Sequence, residues 1–185
     1  MPHPLRKQIL DRLWPAGMSA RMNVFAIVDG ARNDRIYGAV DGTRLEKQCL
    51  FSGTLPWQLQ MTAPYLVQLE RENRLTTFLI DNGWGDSWGI FLRSETSFDG
   101  LRKHLRGFLR VRDEGGRRLL FRFYDPRVLR IYLPTCWPKE LETLFGPVDC
   151  YLVEGEDGAA EMIEFRRNGD LLVAKPLLLE TAISS

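Results

Sequence analysis

The chain has 185 residues, of which 44% are hydrophobic and 26% charged, and its net charge is +1. This composition indicates a globular protein of one domain, or of one domain with a modest annex, and argues against disorder along most of the chain. No stretch approaches the roughly 20 consecutive apolar residues of a membrane span, and the first residues lack the apolar run of a secretory signal. We therefore expect a cytoplasmic protein with no membrane partner.

The first half of the chain alternates between strand and helix patterns. Ile9, Leu10, Leu13 and Trp14 form one amphipathic turn, which Pro15 ends. Strands are predicted at 22–28, 48–51, 65–69 and 87–92, and helices near 32–40 and 75–83. A loop is predicted at Pro56 and Pro64, before the third strand. Residues 1–21 are interpreted as an N-terminal extension.

The second half begins with a helix capped by Ser97, whose apolar stripe lies opposite Arg102, Lys103, Arg106 and Arg110. Further predicted elements are a hairpin at 109–112 and 118–124, helices at 126–133 and 138–145, a strand at 148–153, an acidic loop at 154–161 and a late hairpin at 162–165 and 171–173. Together the elements predict an α/β fold, a mixed sheet with flanking helices and a central β-hairpin, which is not regularly doubly wound.

Charge is unevenly distributed along the chain. Residues 93–130 contain eleven Lys/Arg and five Asp/Glu, whereas residues 140–185 contain three and ten. We interpret 22–146 as the main domain and 147–185 as an acidic C-terminal annex, which can form a small hairpin lobe packed on that domain. The basic centre and the acidic end can attract each other, or can present two surfaces to two partners.

Enzyme signals are weak. Gly85-Asp86-Ser87-Trp88-Gly89 has the G-x-S-x-G spacing of a nucleophile elbow, but that motif needs a strand before the serine and a helix after it. Here the predicted order is reversed, and only His3 and His104 could act as a base. We expect no catalytic residue, although a serine hydrolase that uses Ser87 stays as an alternative.

No metal or cofactor site is indicated. Cys49, Cys136 and Cys150 are widely spaced and form no C-x-x-C pair, so neither a zinc site nor a disulfide framework is predicted. Phosphate-binding glycine motifs and metal-binding motifs are also missing, and we expect no small-molecule substrate.

The basic helix face suggests nucleic acid as a second alternative. Arg102, Lys103 and Arg106, with the arginines of the hairpin, could form a basic stripe. The pI of about 7.7 and the lack of a nucleic-acid-binding motif favour a solvated helix face instead. We expect no nucleic-acid partner.

Two dense segments, 84–93 and 120–128, carry a family resemblance. Together with 28–31, 63–67 and 101–105 they resemble domain of unknown function family 4123 of bacteria, which comprises effector chaperones or adaptors of the type VI secretion system. The signature residues are Trp84, Ser87, Trp88, Arg122, Tyr124, Asp125, Pro126 and Arg127. The resemblance implies a protein that binds a secreted effector and helps load it onto the VgrG spike.

The signature contains no catalytic residue, and we expect its members to hold the sheet together. An adaptor needs exposed apolar or charged patches. Trp57, Leu59 and Trp137 are the predicted apolar contacts, and Arg102, Lys103 and Arg106 are the predicted basic ones.

Overall fold

A seven-stranded antiparallel sheet forms the centre of the protein in the computed structural model, which describes residues 4–112 and 115–180. Its strands are β1 (Asn23–Asp29), β2 (Lys47–Cys49), β3 (Pro64–Leu69), β4 (Gly89–Ser94), β7 (Val148–Gly155), β8 (Gly158–Asn168) and β9 (Leu171–Leu178). β5 (Arg110–Arg112) and β6 (Arg118–Leu120) form a separate hairpin. The helices are α1 (Pro4–Leu13), α2 (Asp34–Asp41), α3 (Trp57–Thr62), α4 (Arg74–Gly83), α5 (Phe98–Gly107), α6 (Pro126–Tyr132) and α7 (Pro138–Phe145), with a 3-10 turn at Leu133–Thr135.

The strand order is β2-β3-β1-β4-β7-β8-β9, so the sheet is open, with β2 and β9 at its edges. Consecutive strands in this order pair antiparallel. The predicted α/β fold with flanking helices and a hairpin is confirmed, as is the absence of a regular doubly wound arrangement. β9 carries Lys175 and Pro176 on the free edge.

Helices cover both faces of the sheet, and β1 shows why. Phe25 and Ile27 belong to the core beneath α5, α6 and α7, whereas Val24, Ala26 and Val28 belong to the core beneath α1, α2 and α4. Successive side chains of a strand point to opposite faces, so a strand covered on both sides is apolar throughout. This explains why 24–28 has a continuous apolar sequence.

Local capping follows the sequence. The Ser97 hydroxyl accepts the backbone N–H of Gly100, and the Asp125 carboxylate accepts that of Arg127 with Pro126 in the first helical turn. Both predicted helix starts are therefore confirmed, because these side chains satisfy N–H groups that the first turn leaves unpaired.

Two local predictions were wrong. The segment predicted as a loop between Pro56 and Pro64 contains the short helix α3. The acidic stretch 154–161 is not a loop: β7 runs to Gly155 and β8 begins at Gly158, leaving only a tight turn between them. Strand pairing and burial outweigh the low strand propensity of the acidic residues there.

The acidic C-terminal region supplies three of the seven strands. β7 pairs with β4 and with β8, and Tyr151, Met162 and Phe165 are buried in the two cores. The boundary that we interpreted at residue 146 lies between α7 and β7. Strands from both sides of this boundary belong to one continuous sheet. Among the described residues, no helix combines the length and apolarity needed to cross a bilayer.

Candidate functional site

An open apolar groove lies between α3 and the β5–β6 hairpin. It has a volume of about 340 Å³ and is lined by Phe51, Leu55, Leu59, Arg110, Arg118, Leu119 and Leu120. Leu59, Leu119 and Leu120 are 49%, 47% and 44% exposed. Large apolar side chains grouped in a groove and left open to water are typical of a protein-binding surface.

A basic groove adjoins it, since Phe51 and Arg110 line both. The basic groove is lined by Leu50, Phe51, Ser52, Asp99, Arg102, Lys103, Arg106, Gly107, Leu109 and Arg110. Arg102 donates to the backbone carbonyl of Cys49 at 3.2 Å and 3.1 Å, and Arg106 donates to the hydroxyl of Ser52. These bonds fix both guanidinium groups above the segment that leads into the apolar groove.

The cations of the two grooves have no acidic partner among the residues that the structure describes. Within residues 4–112 and 115–180, none of the five cationic side chains that line the grooves (Arg102, Lys103, Arg106, Arg110 and Arg118) forms an ion pair, and Asp99 is the one acidic lining residue. By contrast, Arg93 pairs with Glu164 at 2.8 Å, and Arg166 pairs with Asp149 at 2.9 Å. Positive charge is therefore left uncompensated beside the exposed leucines.

Four of the six predicted contact residues line this surface, and two do not. Leu59 lines the apolar groove, and Arg102, Lys103 and Arg106 line the basic groove. Trp57 is 57% exposed but lines neither groove, because its indole packs edge-on against Tyr37 with ring centroids 5.3 Å apart. Trp137 is 77% exposed at the start of α7 and lines neither groove.

Sequence reasoning missed several lining residues: Phe51, Leu55, Leu119 and Leu120. Arg110 and Arg118 were considered only as part of the alternative basic stripe. Leu119 and Leu120 were predicted within a strand of the hairpin, where apolar residues are usually taken to be buried. They stay open because the β5–β6 hairpin forms its own two-stranded sheet. No local pattern distinguishes such a hairpin from one within the main sheet.

The signature segments meet at one end of the central strands. The backbone N–H of Asp29 donates to the carbonyl of Trp88 at 2.8 Å, and that of Gly30 donates to Ala63 at 3.1 Å. The carboxylate of Asp29 is buried and pairs with the guanidinium of Arg122. Segments separated by 33 to 93 residues in the chain thus form one junction.

A second ion pair extends this junction into α6. Asp125 is 2% exposed and accepts hydrogen bonds from Nε and Nη2 of Arg127 at 2.9 Å and 2.7 Å. Burial opposes ionisation of Asp125, but the bonds from Arg127 outweigh it and lower the pKa. Burial also raises the pKa of the neighbouring Tyr124 to about 12. The network connects the signature residues 122–127 to the end of β1.

Comparison with known protein families gave a match over most of the chain. A family model described as a domain of unknown function (DUF4123) matches residues 24–143, about two thirds of the chain. The chain belongs to the DUF4123 family. No curated protein and no solved structure matches it.

Both grooves and the signature junction lie within the residues that the DUF4123 model matches, but three strands of the main sheet do not. The matched range ends at residue 143, before β7, β8 and β9. The DUF4123 region of this chain is therefore completed by strands from outside it.

The tryptophan-rich turn of the DUF4123 signature has a structural role. Trp84 and Trp88 are 8% and 4% exposed, and Nε1 of Trp84 donates to the carbonyl of Ala159 at 3.1 Å. Ser87 is the non-glycine residue with positive φ, +56°, among those described. It follows helix α4 and precedes strand β4, the reverse of the order in a nucleophile elbow.

Glu154 supports this turn from β7, and sequence reasoning missed it. Its carboxylate is 3% exposed and accepts the backbone N–H of Ser87 at 3.1 Å. Burial raises the pKa of Glu154 to about 7, against the opposing effect of hydrogen bonds from the backbone of Gly85 and Ser87. In the sequence it belongs to the acidic stretch that we predicted as a solvated loop, so no signal marked it.

The structure does not bring Ser87 and His104 together. Nε2 of His104 lies 3.2 Å from the carbonyl oxygen of Leu144, its ring packs against Phe108, and burial lowers its pKa. His3 lies outside the described residues. Ser87 lies instead beside Glu154, so the described part of the chain shows no serine–histidine pair.

The cysteines lie apart from one another. Cys150 is buried and its Sγ accepts a hydrogen bond from Nε of Arg93 at 2.9 Å, while burial raises its pKa to about 12. Burial likewise raises the pKa of Cys136 to about 11. In the ranges that the structure describes, no three His, Cys, Asp or Glu side chains are grouped so that they could hold a metal ion.

Proposed function

We propose that this DUF4123 protein is a non-catalytic cytoplasmic adaptor or chaperone, which binds a type VI secretion effector and helps load it onto the VgrG spike. The connection to secretion rests on the series of signature segments and on the family that they indicate. The binding role rests on the surface of the chain.

One observation carries the binding role: exposed leucines and unpaired cations lie side by side. The apolar groove provides surface whose removal from water stabilises a complex with a partner. The basic groove provides charges that select and orient a partner. This pairing is a common design of protein-binding surfaces and needs no catalytic group.

The signature residues support the proposal indirectly. Their hydrogen bonds and ion pairs are made within the chain, as in the contacts of Arg122 with Asp29 and of Arg127 with Asp125. They fix the framework that presents the grooves. We therefore place the partner contacts at the grooves and not at the signature.

The test is affinity purification of the tagged chain from its native bacterium while secretion is active. We expect one effector and VgrG to co-purify, and we expect deletion of the gene to stop delivery of that effector while VgrG itself is still secreted. The matched controls are a cell without the tag and a cell without the effector gene.

Two results would contradict the proposal. One is purification of the chain without effector or spike under conditions in which both are produced. The other is unchanged effector delivery after the gene is deleted.

A further inference from the structure

We infer that the occupant of the two grooves is an acidic amphipathic segment of a protein partner. Its apolar side chains would enter the apolar groove, and its carboxylates would face the basic groove. This inference rests on the proposed function and states the chemistry of the partner that the surface fits.

The charge of the partner follows from the unpaired cations. Elsewhere in the described chain arginines such as Arg93 and Arg127 have carboxylate partners. Within 4–112 and 115–180, Arg102 and Arg106 donate to neutral acceptors alone, a backbone carbonyl and a hydroxyl. Since guanidinium groups bind carboxylates in a bidentate geometry, carboxylates of a partner are the groups that best complete this site.

The apolar character of the partner follows from the other groove. Leu59 approaches the site from α3, and Leu119 and Leu120 approach it from β6, with Phe51 between the two grooves. The exposed leucines lie on two separate elements, so a segment inserted between them contacts both. Anchor residues such as Leu, Ile or Phe gain most from such a groove.

The same leucines disfavour nucleic acid. Single strands bind to basic grooves that carry exposed aromatic rings, on which the bases stack. Among the described residues that line the two grooves, Phe51 is the one aromatic residue, and it is partly buried. Aliphatic side chains cover the rest of the apolar groove, and they match a peptide and not a base.

The experiment uses the whole protein and three fluorescent probes, measured by anisotropy. The first is an amphipathic peptide of about 20 residues with Leu anchors and Glu on its polar face. The second has the same anchors with Lys in place of Glu, and the third is single-stranded DNA of about 20 nucleotides. We expect the acidic peptide to bind at least about tenfold more tightly than the basic peptide, and more weakly as the salt concentration rises.

Matched variants locate the site. The double variant Lys103→Glu, Arg110→Glu should weaken binding of the acidic peptide by about tenfold or more. The control is the double variant Arg44→Glu, Arg74→Glu, which makes the same charge change at exposed positions outside the two grooves. It should change the affinity by less than about twofold. Leu59→Ser should also weaken binding, whereas Leu178→Ser, at the opposite edge strand β9, should not.

Three outcomes would overturn the inference: equal binding of the acidic and basic peptides, equal effects of the two charge-reversal pairs, or DNA binding as tight as that of the acidic peptide. Failure of the proposed function is distinguishable from these. If the wild-type chain co-purifies with an effector, and Lys103→Glu with Arg110→Glu does not reduce that capture, the adaptor role stands and this occupant is wrong. If no effector co-purifies at all, the adaptor role itself is wrong.

Discussion

The backbone N–H of Ser87 donates to the carboxylate of Glu154 at 3.1 Å, and it joins the turn before β4 to strand β7. The bond connects the DUF4123 signature to a residue beyond the family match. It also places an ionisable group in a buried position, where its charge costs free energy. The free energy of unfolding should therefore depend on whether Glu154 is protonated.

Replacement of Glu154 by Gln should flatten the pH dependence of stability. The folded-state pKa is about 7, above the ordinary value of 4.5. Between these values the folded state binds a proton that the unfolded chain does not, so this group makes stability fall as the pH rises. The expected loss in the wild type is about 1–3 kcal/mol, since one pKa unit corresponds to about 1.4 kcal/mol.

The measurement is the free energy of urea unfolding at intervals from pH 4.5 to pH 8. Glu142→Gln, at an exposed position of α7, is the control and should keep the wild-type slope. A Glu154→Gln variant with the same slope as the wild type would contradict the role given to Glu154.

Replacement of Asp125 should lower the free energy of unfolding more than replacement of an ordinary helix cap does. Asp125→Ala removes the cap of α6 and both side-chain bonds from Arg127, and we expect a loss of about 2–4 kcal/mol. Asn33→Ala removes the cap of α2 and a hydrogen bond from Nε of Arg35 at 3.3 Å, but no ion pair, and should lower the free energy of unfolding by about 1 kcal/mol. Thermal and urea unfolding of both variants give the comparison, and equal losses would show that the ion pair contributes nothing.

A methyl group at Gly89 should disrupt the sheet. Its Cβ would lie 2.1 Å from the carbonyl oxygen of Ile27 on the neighbouring strand β1, so Gly89→Ala should lower the free energy of unfolding by about 3 kcal/mol or more, or abolish soluble expression. Gly38→Ala is the matched control: nothing lies within 4 Å of its Cβ in helix α2, and we expect a gain of about 0.5–1 kcal/mol.

Ser87 should tolerate Ala and not Val. Ser87→Ala keeps the backbone N–H that Glu154 accepts, so the free energy of unfolding should change by less than about 0.5 kcal/mol. Ser87→Val places a β-branched residue at φ +56° and should cost about 1–2 kcal/mol. Effector delivery should survive Ser87→Ala. Loss of delivery by a stably folded variant that still co-purifies with its partner would instead support the hydrolase alternative.

A fragment that ends at residue 146 should not fold. Without β7 the strand β4 loses a neighbour, and the cores lose Tyr151, Leu152 and Val153, each of them fully buried or nearly so. Far-ultraviolet circular dichroism and urea titration should show no cooperative transition, unlike the full chain. A fragment that unfolds cooperatively would indicate that the DUF4123 region folds without the strands that follow it.

Most elements of the fold were predictable because their signals are local. Ser97 and Asp125 mark helix starts through their own hydrogen bonds, and apolar runs such as 22–28 mark buried strands. α3 has six residues and no buried side chain, so it leaves no periodic pattern. The acidic ends of β7 and β8 were missed because pairing partners, which the sequence does not state, decide their structure.

The site was only partly predictable. The basic face of α5 follows from helical spacing, and Lys103 and Arg106 are where that spacing places them. Trp57 was predicted as an exposed anchor, but whether an indole lines a groove or packs on Tyr37 depends on the meeting of α2 and α3. Tertiary contacts of this kind also determine that Leu119 and Leu120 stay open.

The free edge strand β9 has a consequence for how the protein behaves at high concentration. A row of unpaired backbone groups is a template on which sheets of other molecules can grow. Pro176 has no N–H and is confined to positions that face away from the ladder, and Lys175 adds a charge at the same place. Addition of a further strand to this edge is thus opposed at 175–176. Leu171, Val173 and Leu178 of the same strand are exposed, so we expect any association at high concentration to involve these side chains as well as the grooves.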